Sequence, residues 1–270
     1  MTTTTDQLLQ RTWDDGITQA DVAVVRASSP LTHCVTNYVA APLTANVLLA
    51  VGAVPAMVSA VEEVEAFTGI ASAVLLNVGT VTTESANVFI QAGASAHRAG
   101  TPWVLDPVAV GAGLRLRDRV AADVLEYRPT VIRGNGSEIL GLAGAAGGGK
   151  GPDSTASSDD ALPAAAELAR ATGAVVAISG VVDFITDGST TVAVPGGHVL
   201  MTKVTGVGCS LGALIAAFAG VIDDPLQAAA SASVLLATAG ERAARSAAGT
   251  GSFAVALLDH LSTLGAETAR

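Results

Sequence analysis

The sequence predicts an α/β fold with a largely parallel central sheet flanked by helices, and three observations carry that reading. Residues 74–79, Val-Leu-Leu-Asn-Val-Gly, form an apolar run closed by Gly, the pattern of a strand buried on both faces. Stretches of ten or more residues with helical character separate most such runs, as crossovers between parallel strands require. The last third, after Cys209, reads as helical and rich in Ala, interrupted at Asp223-Asp224-Pro225.

Taken in order, residues 6–27 are expected to form one amphipathic helix ending at Ser28-Ser29-Pro30. Residues 31–36 read as a short strand closed by Asn37-Tyr38, and a helix follows with Pro42 near its start. Residues 52–57 return toward the sheet. After the strand at 74–79, a helix runs from near Thr82 to Gly100, and the strand Trp103-Val104-Leu105 is cut off by Asp106-Pro107. Residues 130–133 and 174–178, with a hairpin around Asp187-Gly188, complete the strand set. No shift in composition marks a domain boundary, so residues 1–270 read as one domain. Residues 144–158 are expected to form a surface loop.

A chain of 270 residues, half of them hydrophobic, is long enough to bury a large core. Its net charge of −10, with no Lys/Arg cluster set among aromatics, argues against nucleic acid as a partner. Two cysteines, Cys34 and Cys209, point to a reducing compartment rather than a disulfide scaffold. The start, Met1-Thr2-Thr3-Thr4-Thr5-Asp6, has neither basic nor apolar leader regions, and no apolar run is long enough for a membrane span. Together these place the protein in the cytoplasm.

The chemistry centres on residues 202–218. Thr202-Lys203-Val204-Thr205-Gly206-Val207-Gly208-Cys209 is a Gly-rich turn, and Leu211, Leu214, Ile215 and Phe218 mark the apolar stripe of a following helix. The backbone N–H groups of the opening turn make an anion site, for phosphate above all. A thiol at Cys209 is expected to ionise more easily than a free cysteine. The plain alternative is a glycine turn before a buried helix with an inert Cys.

Other candidates carry their own alternatives. Asp106 ends a buried strand beside a Gly-rich loop, where open α/β sheets bind ligands; an Asx-Pro turn explains it equally. Asn135 and Glu138 have the spacing of a capping box, or Glu138 holds Mg²⁺. Arg133, ending an apolar strand, suits phosphate oxygens, or pairs with Glu138. Ser179 offers a strand-end hydroxyl, and Lys203 offers a point charge or a merely solvated lysine. His33 reads as a satisfied core histidine. Residues 144–150 have P-loop spacing, but Gly151 stands where Ser or Thr is needed, and Gly206-Val207-Gly208 lacks the third glycine of a dinucleotide fingerprint.

These pieces, in this order, resemble one family, the hydroxyethylthiazole kinases of thiamine salvage within the ribokinase-like fold. The resemblance runs through Pro30-Leu31-Thr32-His33-Cys34-Val35-Thr36-Asn37, residues 43–53 and 75–80, Leu105-Asp106-Pro107-Val108, and Ile132-Arg133-Gly134-Asn135. It closes with the Gly-x-Gly-Cys segment and Gly251-Ser252-Phe253. It implies ATP-dependent phosphorylation of the primary alcohol of 4-methyl-5-(2-hydroxyethyl)thiazole. By the same resemblance, Cys209 is catalytic. Arg133, Ser179, Gly208 and Lys203 meet the nucleotide, while Met57, Gly206 and Asn37 meet the thiazole. Asp106, Glu138 and Asn135 lie near Mg²⁺, which favours the metal reading over the cap. A homotrimer with the substrate site at an interface is implied too. Ser179 replaces the usual Thr and Val207 a smaller residue, both mild changes. Cys209 and the Thr-His-Cys-Val-Thr-Asn stretch argue against a hydroxymethylpyrimidine kinase or a hydrate dehydratase. Asp106, Glu138, Arg133 and Cys209 together argue against a non-catalytic binding module.

Overall fold

The apolar runs pair side by side into one sheet. The structure, a computed structural model, describes residues 7–147 and 156–265. Nine strands lie among these residues: β1 (Gln7–Gln10), β2 (Leu31–Val35), β3 (Val54–Ala56), β4 (Ala73–Asn77), β5 (Trp103–Asp106), β6 (Val131–Asn135), β7 (Val175–Ser179), β8 (Val182–Thr186) and β9 (Thr190–Pro195). Their spatial order is β1-β9-β8-β7-β6-β5-β4-β2-β3. Every neighbouring pair is parallel except β7–β8 and β8–β9, the two pairs that involve the central strand of a meander. The turn between β8 and β9 uses Gly188 at φ 88°, and Asp187 Oδ1 accepts the N–H of Ser189 and of Thr190, each at 2.7 Å.

Helices cover both faces. In chain order they are α1 (Ile17–Ser28), α2 (Ala41–Ala50), α3 (Val64–Thr68), α4 (Ala86–Ala99), α5 (Arg115–Leu125), α6 (Gly136–Gly147), α7 (Ser158–Thr172), α8 (Val207–Ala219), α9 (Pro225–Ser246) and α10 (Thr250–Thr263). The period of two along each strand sends alternate residues to opposite layers. Leu75, Val104 and Val131 join the core beneath α1, α2, α8, α9 and α10. Leu76, Leu105 and Ile132 join the core beneath α4 to α7. The all-apolar strands seen in the sequence follow from this double burial.

The first expectation fails at the amino end. Residues 7–27, the described part of the helix expected at 6–27, do not form one helix: β1 pairs with β9 from Gln7↔Thr190 to Gln10↔Ala193, a 3-10 turn spans Trp13–Asp15, and α1 begins after it. Gly16 at φ 79° breaks the chain between turn and helix, and the edge pairing overrides local helical pattern. Both described ends of the stretch expected as a loop, 144–158, belong to helices, since α6 runs to Gly147 and Ser157 caps α7 by accepting the Asp160 N–H. The Gly148-Gly149-Lys150 part of the rejected P-loop spacing lies outside the described residues.

Candidate active site

The carboxyl ends of parallel strands converge on the amino end of α8. Asn77 closes β4 directly opposite Asp106 at the end of β5. One strand on, Asn135 closes β6 opposite Ser179 at the end of β7, with Arg133 two residues back. This is where open α/β sheets place ligands. Helix α8 reaches the same edge because its glycines let it approach closely. A Cβ at Gly212 would lie 3.0 Å from Leu75 Cδ1 and 3.3 Å from Asp106 Oδ2. One at Gly208 would lie 3.4 Å from Arg133 Nη2. Gly206, at φ 90°, caps the helix against the Cα of Ala40.

The side chains form a buried polar chain. Ala40 N donates to Asn37 Oδ1 at 2.9 Å, and Asn37 Nδ2 donates to Asn77 Oδ1 at 2.8 Å and to Cys209 Sγ at 3.3 Å. Asn77 Nδ2 then donates to Asp106 Oδ2 at 2.8 Å. Arg133 Nη1 stands 3.6 Å from the same oxygen, and its Nη2 donates to Ser179 Oγ at 2.8 Å. Arg133 therefore pairs with Asp106 rather than with Glu138. Two atoms within this set, Arg133 Nε and Asp106 Oδ1, are buried without a hydrogen-bond partner. An orphaned donor and an orphaned acceptor on one buried ion pair mark a place for a ligand.

Burial sets the electrostatics. It pushes Asp106 up to about 7, aided by Glu138 and opposed by Arg133 and Asn77. Burial also works against the Arg133 charge, but Asp106, Glu138, Asp183 and Cys209 together outweigh it and hold the guanidinium charged. Asp183, which accepts the Gly180 N–H at 2.9 Å, is pushed up to about 6 by burial. The easily ionised thiol expected at Cys209 is not what the site builds. Burial first, and then Asp106, raise its pKa, and the opposing pull of Asn77, Asn37 and Arg133 does not compensate. Cys34 and Cys209 are both free thiols.

Glu138 shows the capping geometry in full. Its N–H donates to Asn135 Oδ1 at 2.9 Å, and its Oε2 accepts the Asn135 N–H at 2.8 Å. Its Oε1 takes the Ala109 N–H at 3.0 Å, which ties the Asp106-Pro107 loop to α6. The remaining candidates are spread around this centre. Met57 follows the edge strand β3 and is partly exposed, while Lys203 is exposed at the end of the 3-10 turn Val199–Lys203 and takes no part in the polar chain. His33 is the satisfied core histidine foreseen, its ring nitrogens 3.1 Å from Thr68 Oγ1 and 2.8 Å from Val58 O.

Two members of the site carried no assigned role in the sequence. Asn77 had a signal, an amide ending a buried apolar run two residues before a Gly, as Asp106 ends the next strand. Asp183 had none, because its approach to Arg133 depends on the β7–β8 turn.

Comparison with known proteins decides the family. The profile of the hydroxyethylthiazole kinase family matches residues 22–267. The chain belongs to the hydroxyethylthiazole kinase family. A hydroxyethylthiazole kinase from Leptospira interrogans serovar Lai is 55% identical over 260 residues, 96% of this chain and 98% of the relative. One from Kineococcus radiotolerans is 56% identical over 248 residues, 92% of this chain and 90% of the relative. Among solved structures, the hydroxyethylthiazole kinase protein from Pyrococcus horikoshii OT3 superposes with a TM-score of 0.84 at 39% identity, covering 91% of this chain and 92% of that one. A ribokinase-like superfamily protein from Enterococcus faecalis V583, at 13% identity and a TM-score of 0.66, shares the fold alone.

Proposed function

We propose that the protein transfers the γ-phosphoryl group of ATP to the primary alcohol of 4-methyl-5-(2-hydroxyethyl)thiazole. One observation carries this reading: the buried Arg133–Asp106 pair, with Nε and Oδ1 both unpartnered, lies against the opening turns of α8 at Gly208 and Gly212, beside Cys209. Phosphoryl transfer asks mainly for positioning and charge stabilisation, which such a set supplies.

The alcohol oxygen attacks the γ-phosphorus as the bond to the ADP oxygen breaks, and the alcohol proton is released. Arg133, held by Ser179 and Asp106, meets phosphate oxygens with its forked donors. The N–H groups of Gly208 and Cys209, in the first turn of α8, have no carbonyl of their own helix to serve and stabilise the charge on the moving group. An oxygen donor set with one unpartnered carboxylate oxygen fits Mg²⁺, which binds through one or two carboxylates together with substrate phosphates. Asp106 would hold it, Glu138, both of whose oxygens already accept a backbone N–H, would act on it through water, and the ion would supply charge neutralisation to the phosphates. Among the described residues no three His, Cys, Asp or Glu side chains form a dedicated cage. The Asn135 oxygen is committed to the Glu138 N–H.

Cys209 and Asn37 serve the alcohol end. Because burial holds the thiol protonated, proton removal accompanies transfer rather than preceding it, as a loose transition state permits. We further infer a homotrimer in which a neighbouring subunit completes the thiazole pocket around Met57 and Gly206. Exposed apolar residues on the elements flanking the free edge of β3 support it, namely Tyr38, Leu49, Val54 and Ile70. Two free thiols accord with action in the reducing cytoplasm, and no described helix is long and apolar enough to cross a membrane.

The test is ADP release by the purified protein with ATP and Mg²⁺, with and without the hydroxyethylthiazole. Alcohol-dependent release is expected, and folded protein that binds ATP without it overturns the reading. Light scattering tests the trimer.

A further inference from the structure

Asn77 is fully buried at the end of β4, and both ends of its amide are held by neighbours. Gly79 N lies 3.0 Å from Oδ1, and a backbone N–H can only donate, so that atom is the oxygen. The approach is tight: a Cβ at Gly79 would lie 2.9 Å from Asn37 Nδ2 and 3.0 Å from Asn77 Oδ1. Asn37 is fixed in the same way, since Ala40 N donates to its Oδ1 and leaves its amino group to reach both Asn77 and Cys209. The one orientation left to Asn77 turns its own amino group onto Asp106 Oδ2.

We propose that Asn77 is a positioning residue for phosphoryl transfer, setting the Asp106 carboxylate and, through Asn37, the Cys209 thiol at a fixed separation across the site. This rests on the reading that Asp106 and Cys209 flank the transfer point. The structural reason is directional. Donation to Oδ2 fixes the rotation of the Asp106 carboxylate and leaves its other oxygen without a partner. Acceptance by Oδ1 keeps the Asn37 amino group aimed so that it also reaches Sγ. Asn77 also acts on the Cys209 thiol itself, so both ends of the site depend on its amide. Asp at position 77 would keep the Gly79 turn and the bond from Asn37, yet set a second carboxylate against Asp106. Ala would remove all three contacts.

The experiment compares Asn77→Asp, Asn77→Ala, Cys209→Ala and the Asn77→Ala/Cys209→Ala pair with the wild-type protein. Turnover is read as alcohol-dependent ADP release, and Cys209 placement as its alkylation rate by iodoacetamide without substrates; Cys34 is buried. Both single Asn77 variants are expected to lower kcat by roughly 10–100-fold, the scale of a small misplacement of reacting groups, with KM for ATP held within about 3-fold. Asn77→Asp is expected to slow Cys209 alkylation at least about 3-fold, because it adds negative charge beside a group that reacts as its anion. The double variant is expected to lose no more than about 2-fold beyond its worse single parent, as residues acting as a unit do. Wild-type kcat with an unchanged alkylation rate in folded Asn77→Asp overturns the proposal even if Asn77→Ala does not fold. A KM increase at constant kcat, or a fully multiplicative double variant, overturns it too. Absence of alcohol-dependent turnover in the wild-type protein overturns the functional reading instead, and the alkylation rate still judges the placement.

Discussion

Arg133 spans two strands, with Nη1 3.6 Å from Asp106 Oδ2 on β5 and Nη2 donating to Ser179 Oγ on β7 at 2.8 Å. Arg133, only 7% exposed and with Nε unpartnered, is held in place before any anion arrives. Arg133→Ala is therefore expected to raise KM for ATP by about 10-fold or more, the worth of a lost charge-assisted hydrogen bond, and KM for the alcohol far less. Steady-state kinetics in both substrates check it. A larger effect on the alcohol would put Arg133 at the wrong end of the site.

At the other end, Cys209 accepts a hydrogen bond from Asn37, but burial holds its pKa up. A mostly protonated thiol is a weak base, so Cys209→Ala is expected to lower kcat modestly, by about 10-fold, below the usual full range for general bases. Cys209→Asp places a carboxylate that needs no prior ionisation and is expected to retain or raise kcat. Single-turnover rates separate the chemical step from product release. Unchanged kcat in Cys209→Ala would remove the thiol from proton transfer.

Strand-end residues were legible because they break a strong pattern. Asp106 and Arg133 stand out against apolar runs, and the glycines before Cys209 announce a close approach that Gly208 makes to Arg133. The central strands were legible for the same reason, being buried on both faces. What escaped depends on pairing across long separations. Gln7–Gln10 has no strand pattern of its own and becomes β1 only against β9, some 180 residues on. The ionisation of Cys209 misled because helix position was visible in sequence and burial beside Asp106 was not. Asn135 and Glu138 were readable as a cap from spacing alone, and both hydrogen bonds are present.

Gly141 shows how tightly the Asp106 loop is held. A Cβ there would lie 2.6 Å from the backbone oxygen of Val110 and 3.0 Å from its carbonyl carbon, atoms that cannot rotate away. The loop it presses on donates the Ala109 N–H to Glu138. Gly141→Ala should gain helix propensity yet lose more to overpacking, a net cost of about 1–3 kcal/mol. A lower Tm and weaker ATP binding are expected by calorimetry. A Tm at or above the wild-type value would mean that the loop moves aside freely.

Asp183 gives the pH dependence of stability. Burial raises its carboxyl to about 6 against an ordinary 3.8, so between these values the folded protein holds a proton that the unfolded chain releases. Its contribution to stability is fully present below pH 3.8 and is lost as pH rises through about 6. Asp183→Asn keeps an oxygen for the Gly180 N–H but carries no charge, so it escapes this loss. The variant should melt within a degree or so of wild type near pH 4 and roughly 2–6 °C above it at pH 8. Thermal melts across that range decide the matter. A variant less stable than wild type at pH 8 would show that the Asp183 charge is needed beside Arg133 more than burial penalises it.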